Sequence, residues 1–291
     1  VASNPAAQTA FGPMVLAAVE HHETPGRRLV DDDLAESFLP SGPRALARLT
    51  RWAPLRAAVI AASERAGPGL WASIACRKRF IDERISDPAS EIDAVVILGS
   101  GLDTRPYRIA RHSDLPVFEL DQPVNIERKA AAVARALGAI PASVHLASID
   151  FERDDVMSVL DANGFRDTGR TLFIWEGVTQ YLTPGAVHAM FEQLRAVTPG
   201  SRLIFTYVRQ DFIDGTDLQG AEAVYRRFRR RSQIWKSGMQ PERVEEILRG
   251  YGWTVVEQAG PSYYRDLYIR PTGRTIAASP IEWTALAVRS A

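Results

Sequence analysis

The spacing of apolar residues divides the chain near residue 90. Before that point apolar positions recur at helical intervals, broken at Pro25-Gly26, Pro40-Ser-Gly-Pro43 and Gly67-Pro-Gly69, where one helix must end before another begins. The last of these helices is predicted to run from Leu70 to about Ile85 and carries Arg77-Lys-Arg79 and Asp82-Glu-Arg84. Beyond residue 90 the period changes. Short runs of apolar residues alternate with amphipathic stretches: strand 94–98, helix about 104–111, strand 117–121, helix about 123–137, strand 144–149, helix about 154–163, strand 171–175, helix about 184–197, strand 202–208. Continuous apolar strands are buried on both faces, and at this spacing they imply a parallel sheet covered by helices on either side.

The pattern loosens over the polar segment Asp211 to Gly238. A helix then starts at Pro241, a good first helical residue, and runs to about Arg249. Trp253 to Gln258 and Ile281 to Val288 read as strands with no convincing helix between them, expected to pair antiparallel. The prediction is therefore an α/β fold: a doubly wound, mostly parallel seven-stranded sheet over residues 91–291. Residues 1–90 would form a helical cap or lid continuous with that core.

In such a sheet the ligand edge is the carboxyl end of the strands, which nominates Gly99 to Asp103, Asp121, Asp150, Glu176 and Tyr207. Strand 94–98 stops on Gly99-Ser100-Gly101, where glycine lets the backbone take positive φ and approach a ligand. The third glycine of a dinucleotide fingerprint would stand at position 104, and Thr104 is there instead. A cofactor with a ribose diol and an adenine but no phosphate, S-adenosylmethionine (SAM), fits better, with Asp121 placed to hold the ribose.

Composition narrows the partners. Lys plus Arg number 35 and Asp plus Glu number 35, so the net charge is zero and no global field favours nucleic acid or an anionic membrane; a small-molecule partner is expected. The local exception, Arg226-Arg-Phe-Arg-Arg-Arg231, reads as a solvated helix face with Phe228 turned inward. The single cysteine, Cys76, excludes an internal disulfide, is expected in the core and suits a reducing compartment, so a cytoplasmic location is expected. His21, His22, His112, His145 and His188 show no zinc-helix spacing, so no metal is expected. No apolar run reaches the ~20 residues of a membrane span, and Phe11 to Val19 lacks the basic lead of a signal peptide. Nothing in the sequence sets the oligomeric state.

Four features fall on consecutive strand ends: "LGSGLDTRPYR", "FELDQP", Ile149-Asp150-Phe151 and "WEGVTQYLTP". With Asp31-Asp-Asp-Leu-Ala35, Arg77 to Asp82 and Arg270-Pro-Thr-Gly-Arg274, they resemble the leucine carboxyl methyltransferase family, including its bacterial branch acting in tetracenomycin biosynthesis. The resemblance covers most of the chain and implies a Rossmann-like class I methyltransferase using SAM. By this resemblance Arg77 would pair with the methionine carboxylate, a task suited to a planar charged fork. Gly99, Ser100 and Gly101 would pass beneath the cofactor beside Asp103, and Asp121 with Gln122 would hold the ribose hydroxyls. Asp150 and Phe151 would contact the adenine, and Glu176 would lie beside the methionine portion.

Structural roles stand beside these readings: Arg77 in a salt bridge with Asp82 or Glu83, Asp103 or Asp150 as a helix cap, Asp121 as a turn former and Tyr181 as core. Methyl transfer from a sulfonium is a displacement that asks the protein mainly for alignment. A carboxylate acceptor is already ionised and needs no base, whereas a phenol or indole would call on Glu176, Tyr181, Tyr207 or a histidine from the cap. Trp52, Trp71, Tyr207, Arg209, Tyr225 and Trp235 are candidate acceptor contacts. The expected activity is O-methylation of a carboxylate or polyketide-like hydroxyl in secondary metabolism. C- or N-methylation of an indole-like aromatic is the alternative, followed by an NAD-dependent oxidoreductase and a non-catalytic SAM-binding module.

Overall fold

The five parallel strands are short runs buried on both sides, except that the third, an edge strand, is partly exposed. They are β1 (Ala94–Leu98), β2 (Val117–Asp121), β3 (Val144–Ser148), β4 (Thr171–Trp175) and β5 (Arg202–Val208), with β6 (Trp253–Ala259) and β7 (Glu282–Arg289) following. The computed structural model describes residues 11–87, 91–231 and 233–291, so the first ten residues of the expected cap and its boundary near residue 90 lie outside the described residues. The strands form one seven-stranded sheet in the order β3-β2-β1-β4-β5-β7-β6. The first five run parallel, and β7 is antiparallel to both β5 and β6. This is the predicted sheet.

The chain turns to opposite sides of β1 when it forms β2 and β4, which opens a crevice at the carboxyl ends of those strands. The registers Leu98↔Leu120 and Ile97↔Ile174 bring the glycine loop, Asp121 and Glu176 to one edge.

Among the described residues five α-helices precede the sheet: α1 (Phe11–His21), α2 (Ala35–Phe38), α3 (Ser41–Leu49), α4 (Ala53–Ala66) and α5 (Leu70–Ile85). Met14, Leu16, Phe38, Trp71 and Phe80 share one apolar cluster with Val95, Ile97, Val117 and Ile174, so this segment covers one face of the sheet. Cys76 is fully buried in that layer, and burial pushes its thiol far up. On the opposite face Val96, Leu98, Phe118, Phe173 and Phe205 pack against Val156, Phe191 and Leu248. The helices between strands are α6 (Arg105–Ile109), α7 (Pro123–Leu137), α8 (Val156–Ala162) and α9 (Pro184–Gln193).

Two segments are more ordered than the sequence suggests. The polar stretch after β5 contains α10 (Gln210–Asp214), α11 (Glu222–Tyr225) and a π turn over Arg226–Arg231. Phe228 stacks on Trp235 with ring centroids 4.8 Å apart, inward as expected, while the side chains of Arg230 and Arg231 lie outside the described residues. After α12 (Val244–Gly250) and β6, the segment expected to lack a helix holds α13 (Pro261–Tyr264), a π turn at Arg265–Ile269 and a 3-10 turn at Arg270–Thr272. Single turns are too short to show a period; here Tyr263, Tyr264 and Tyr268 hold them by packing ring against ring and on Phe80.

Candidate active site

The loop after β1 is shaped by two glycines, Gly99 at φ +79° and Gly101 at φ +48°. A Cβ on Gly99 would lie 2.3 Å from Val178 Cγ2, so a side chain is excluded there by space as well as by conformation. Gly99 and Ser100 donate their N–H groups to the Leu120 carbonyl at 2.7 and 3.1 Å, fastening the loop to β2. From below, the buried ammonium of Lys129 on α7 donates to the carbonyls of Asp103 at 2.7 Å and Ser100 at 3.4 Å. Lys129 also pairs with Glu119, which accepts from Tyr107 Oη at 2.7 Å. Both partners of the Lys129–Glu119 pair are fully enclosed. A charge pair inside the sheet layer therefore sets the height of the loop.

Thr104, which stands where a dinucleotide fingerprint has glycine, is fully buried, and its hydroxyl donates to Asp32 Oδ2 at 2.7 Å. The position thus serves to tie the N-terminal helical segment to the loop.

Asp121 closes β2 with its carboxylate almost wholly buried. Oδ2 accepts from Gly101 N–H at 2.7 Å; Oδ1 accepts from Gln122 N–H at 2.7 Å and from Asn125 Nδ2 at 2.8 Å. A carboxylate offers about four accepting directions. With three taken, the arrangement leaves one on Oδ2 where the sequence reading asked for two ribose hydroxyls. Gln122 is the N-cap residue of α7.

Glu176, one residue past β4, sits in a cage of cations. It accepts from Arg77 Nε at 2.9 Å and Arg105 Nη1 at 2.6 Å, and Lys78 Nζ lies 3.7 Å away. Burial alone would raise its pKa, but Lys78, Arg105 and Arg77 outweigh that and hold the carboxyl far below the usual glutamate range. Arg77 pairs on its other side with Glu282 at 2.5 Å, rather than with Asp82 or Glu83 as the structural reading had it. Its Nη2 faces Gly177, where a Cβ would come within 3.0 Å. Asp103 accepts from Arg105 through both oxygens, by the backbone N–H at 2.9 Å and Nη1 at 2.6 Å. The N-cap of α6 is Thr104, so Asp103 is not the cap; it closes a two-residue turn onto the first helical N–H and belongs to the charge network. Burial works against its ionisation, yet Arg105 and Lys78 hold it below the ordinary aspartate range.

The remaining candidates lie apart from this network. Asp150 follows β3 with its side chain about half exposed, accepting from Glu152 N–H at 3.0 Å. The N-cap of α8 is Asp155, so that alternative for Asp150 is corrected. Phe151 packs into the second apolar layer. Tyr181 is partly buried against the cluster of Phe212, Val224 and Trp235. Tyr207 is buried with its hydroxyl donating to Gln258 Oε1 at 2.6 Å, and burial followed by Glu242 pushes its phenol far up. It is a donor inside the core, not a base. The six candidate acceptor contacts are likewise dispersed: Trp52 is on the surface, Trp71, Tyr207 and Trp235 fall in three different clusters with Tyr225 against the third, and Arg209 pairs with Asp211.

Lys78, Arg105, Asn125, Lys129 and Glu282 were given no role from sequence. Glu119 and Glu282 carried a signal, because they are carboxylates within largely apolar strands, where a charge is costly unless it is paired.

The edge fits SAM. Ser100 Oγ is buried in the glycine loop without a protein partner, Asp121 keeps an open accepting direction next to it, and the glycines bare the backbone between them. These are polar groups suited to a ribose, whereas the loop amides of Gly99, Ser100 and Gly101 that a pyrophosphate would use already donate to Leu120 and Asp121. Among the described residues no group of three or more metal-ligating side chains comes together, and no helix is long and apolar enough to cross a membrane.

Comparison with known proteins agrees. Residues 10–195 match the sequence profile of leucine carboxyl methyltransferase. A Mycolicibacterium paratuberculosis protein provisionally named an S-adenosyl-L-methionine-dependent methyltransferase is 36% identical over 200 residues, which cover 64% of this chain and 62% of that protein. A Mycolicibacterium smegmatis relative with a similar provisional name is 35% identical over 211 residues, 69% of this chain and 68% of its own. The chain thus spans less than two thirds of the length of the first of these. Among solved structures, a provisionally named methyltransferase from Thermobifida fusca shares the fold at a TM-score of 0.57 and 21% identity, covering 96% of this chain and 94% of that one. With its sheet order, its strand-end motifs and these matches, the chain belongs to the leucine carboxyl methyltransferase family of SAM-dependent enzymes.

Proposed function

We propose that the protein transfers a methyl group from SAM to a small acceptor that arrives already ionised, a carboxylate of a polyketide-like or related metabolite, in the cytoplasm. The observation that carries this reading is the state of Glu176: three cations hold its carboxyl far below the pH at which it could take a proton. With Tyr207 occupied by Gln258, two of the candidate bases are engaged elsewhere, and a carboxylate is the acceptor class that needs none.

SAM, when bound, supplies an electrophilic methyl on a sulfonium, and the chain's own part is alignment and the exclusion of water. In this proposal Asp121 and Gln122 hold the ribose end. Gly99, Ser100 and Gly101 line the floor, with Asp103 securing the turn, and Asp150 and Phe151 border the adenine. Arg77 offers its Nη2 edge to the methionine carboxylate while Glu176 and Glu282 fix the guanidinium plane. The test is incubation with methyl-labelled SAM and a panel of organic acids, phenols and indoles. The reading expects label released as methanol by mild alkali, the signature of an ester; label that survives alkali on a ring carbon, nitrogen or phenol oxygen would refute it.

A further inference from the structure

Helices α3 and α4 are held to the chain by a few residues and turn most of their surface to solvent. Of the residues in α3 only Ala47 is buried, and of those in α4 only Arg56. Where they join, Leu46, Leu49 and Trp52 are 47%, 60% and 67% exposed, three large apolar side chains within seven residues. Most helices are stabilised by burying such a face, and this one is turned to solvent.

The same surface is positively charged within a chain of zero net charge. Between residues 37 and 63 there are four arginines, Arg44, Arg48, Arg51 and Arg56, and no aspartate or glutamate. Arg56 turns inward to Glu23 at 3.2 Å. Arg48 and Arg51, both largely exposed, share a single carboxylate, Glu36, which His22 also contacts at 3.2 Å. Arg44 donates to main-chain carbonyls of Glu36 and Ser37. Burial and then the neighbouring Arg135 and Arg48 push its pKa down, with Glu36 alone opposing them.

We propose that this α3–α4 junction is a docking surface for an anionic phospholipid membrane. Exposed leucines and a tryptophan bordered by arginines have the chemistry of an interfacial helix: the apolar side chains enter the acyl boundary, the indole sits at headgroup level, and the guanidinium groups meet phosphates. A nucleic acid would satisfy the arginines but leave Leu46 and Leu49 in water. The proposal does not depend on the methyl-transfer reading.

The test is flotation of the full chain with vesicles of phosphatidylglycerol mixed into phosphatidylcholine, against pure phosphatidylcholine. The expected result is binding to the anionic vesicles alone, weakened by salt, with a blue shift in tryptophan emission that the Trp52→Phe variant loses. Replacing both exposed arginines, Arg48→Gln with Arg51→Gln, should weaken partitioning about 25-fold at low salt, since each contributes roughly fivefold. Leu49→Ser with Trp52→Ser should weaken it about tenfold or more while circular dichroism and thermal melting stay unchanged. Failure to float with anionic vesicles, or flotation indifferent to both double variants, would overturn the proposal. So would a homodimer in light scattering that the leucine and tryptophan changes dissolve, or preferential retention of single-stranded RNA.

Discussion

Arg105 donates from Nη1 to Glu176 Oε2 at 2.6 Å, and the same nitrogen reaches Asp103 Oδ2 at 2.6 Å. One guanidinium therefore joins the end of β4 to the loop after β1. The two strands that flank the crevice cannot separate at this edge without exposing a buried charge.

This joint makes a prediction about acid. Glu176 and Asp103 have folded-state pKa values below their unfolded ones, so their contribution to stability is present above the ordinary carboxylate range and is lost as pH falls through and beneath it. Melting temperature should hold steady near neutrality and fall once pH drops below about 4.5. Glu176→Gln should cost about 3 kcal/mol at pH 7 in urea unfolding, because it removes the carboxylate that three buried cations share, although Arg77 keeps Glu282 and Arg105 keeps Asp103 and Asp82. The variant should also show a shallower acid dependence. An equal acid slope in the two proteins would dissociate Glu176 from the network.

Asp121 yields paired predictions in calorimetric titration with S-adenosylhomocysteine. Asp121→Ala should raise Kd by roughly 10- to 150-fold, the value of hydrogen bonds to a charged acceptor. Asn125→Ala should act in the other direction and tighten binding by about two- to tenfold, since Nδ2 occupies the direction on Oδ1 that a second ribose hydroxyl would take. Weaker binding by the Asn125 variant would mean that its amide orients the carboxylate rather than competes for it.

Thr104 tests the distinction from dinucleotide sites. Thr104→Val removes the donor to Asp32, a buried carboxylate, and should cost about 1–3 kcal/mol in urea unfolding. Thr104→Gly restores the third glycine, yet it should not produce an NADH fluorescence response, because the tie to Asp32 is lost and no phosphate cradle is gained. A saturable response would reopen the oxidoreductase reading.

The boundaries of β1, β2, β4 and β5 were legible because a strand buried on both faces needs a continuous apolar run, and the ligand edge followed from the order of those runs. The charge network was not legible. Arg77 meets residues 99 and 205 positions away, and local periodicity carries no information on such pairings. Position also changed meaning. Glu176 is expected from sequence beside the methionine portion of the cofactor or as a base, and in the structure its partners are three cations that hold it ionised. The segment from Pro261 to Thr272 escaped notice because its turns are set by tyrosine packing rather than by a repeat.

Tyr207 separates a residue near the ligand edge from one that acts there. Its hydroxyl donates to Gln258 on β6, two strands away across β7, and burial raises its phenol well above the ordinary tyrosine range. Tyr207→Phe should cost about 1 kcal/mol of stability, the value of one lost hydrogen bond. It should leave kcat and its pH profile unchanged, whereas loss of a general base lowers kcat by about 10²- to 10⁴-fold. A drop of that size, accompanied by a shifted alkaline limb, would place the hydroxyl in contact with the acceptor and overturn the base-free mechanism.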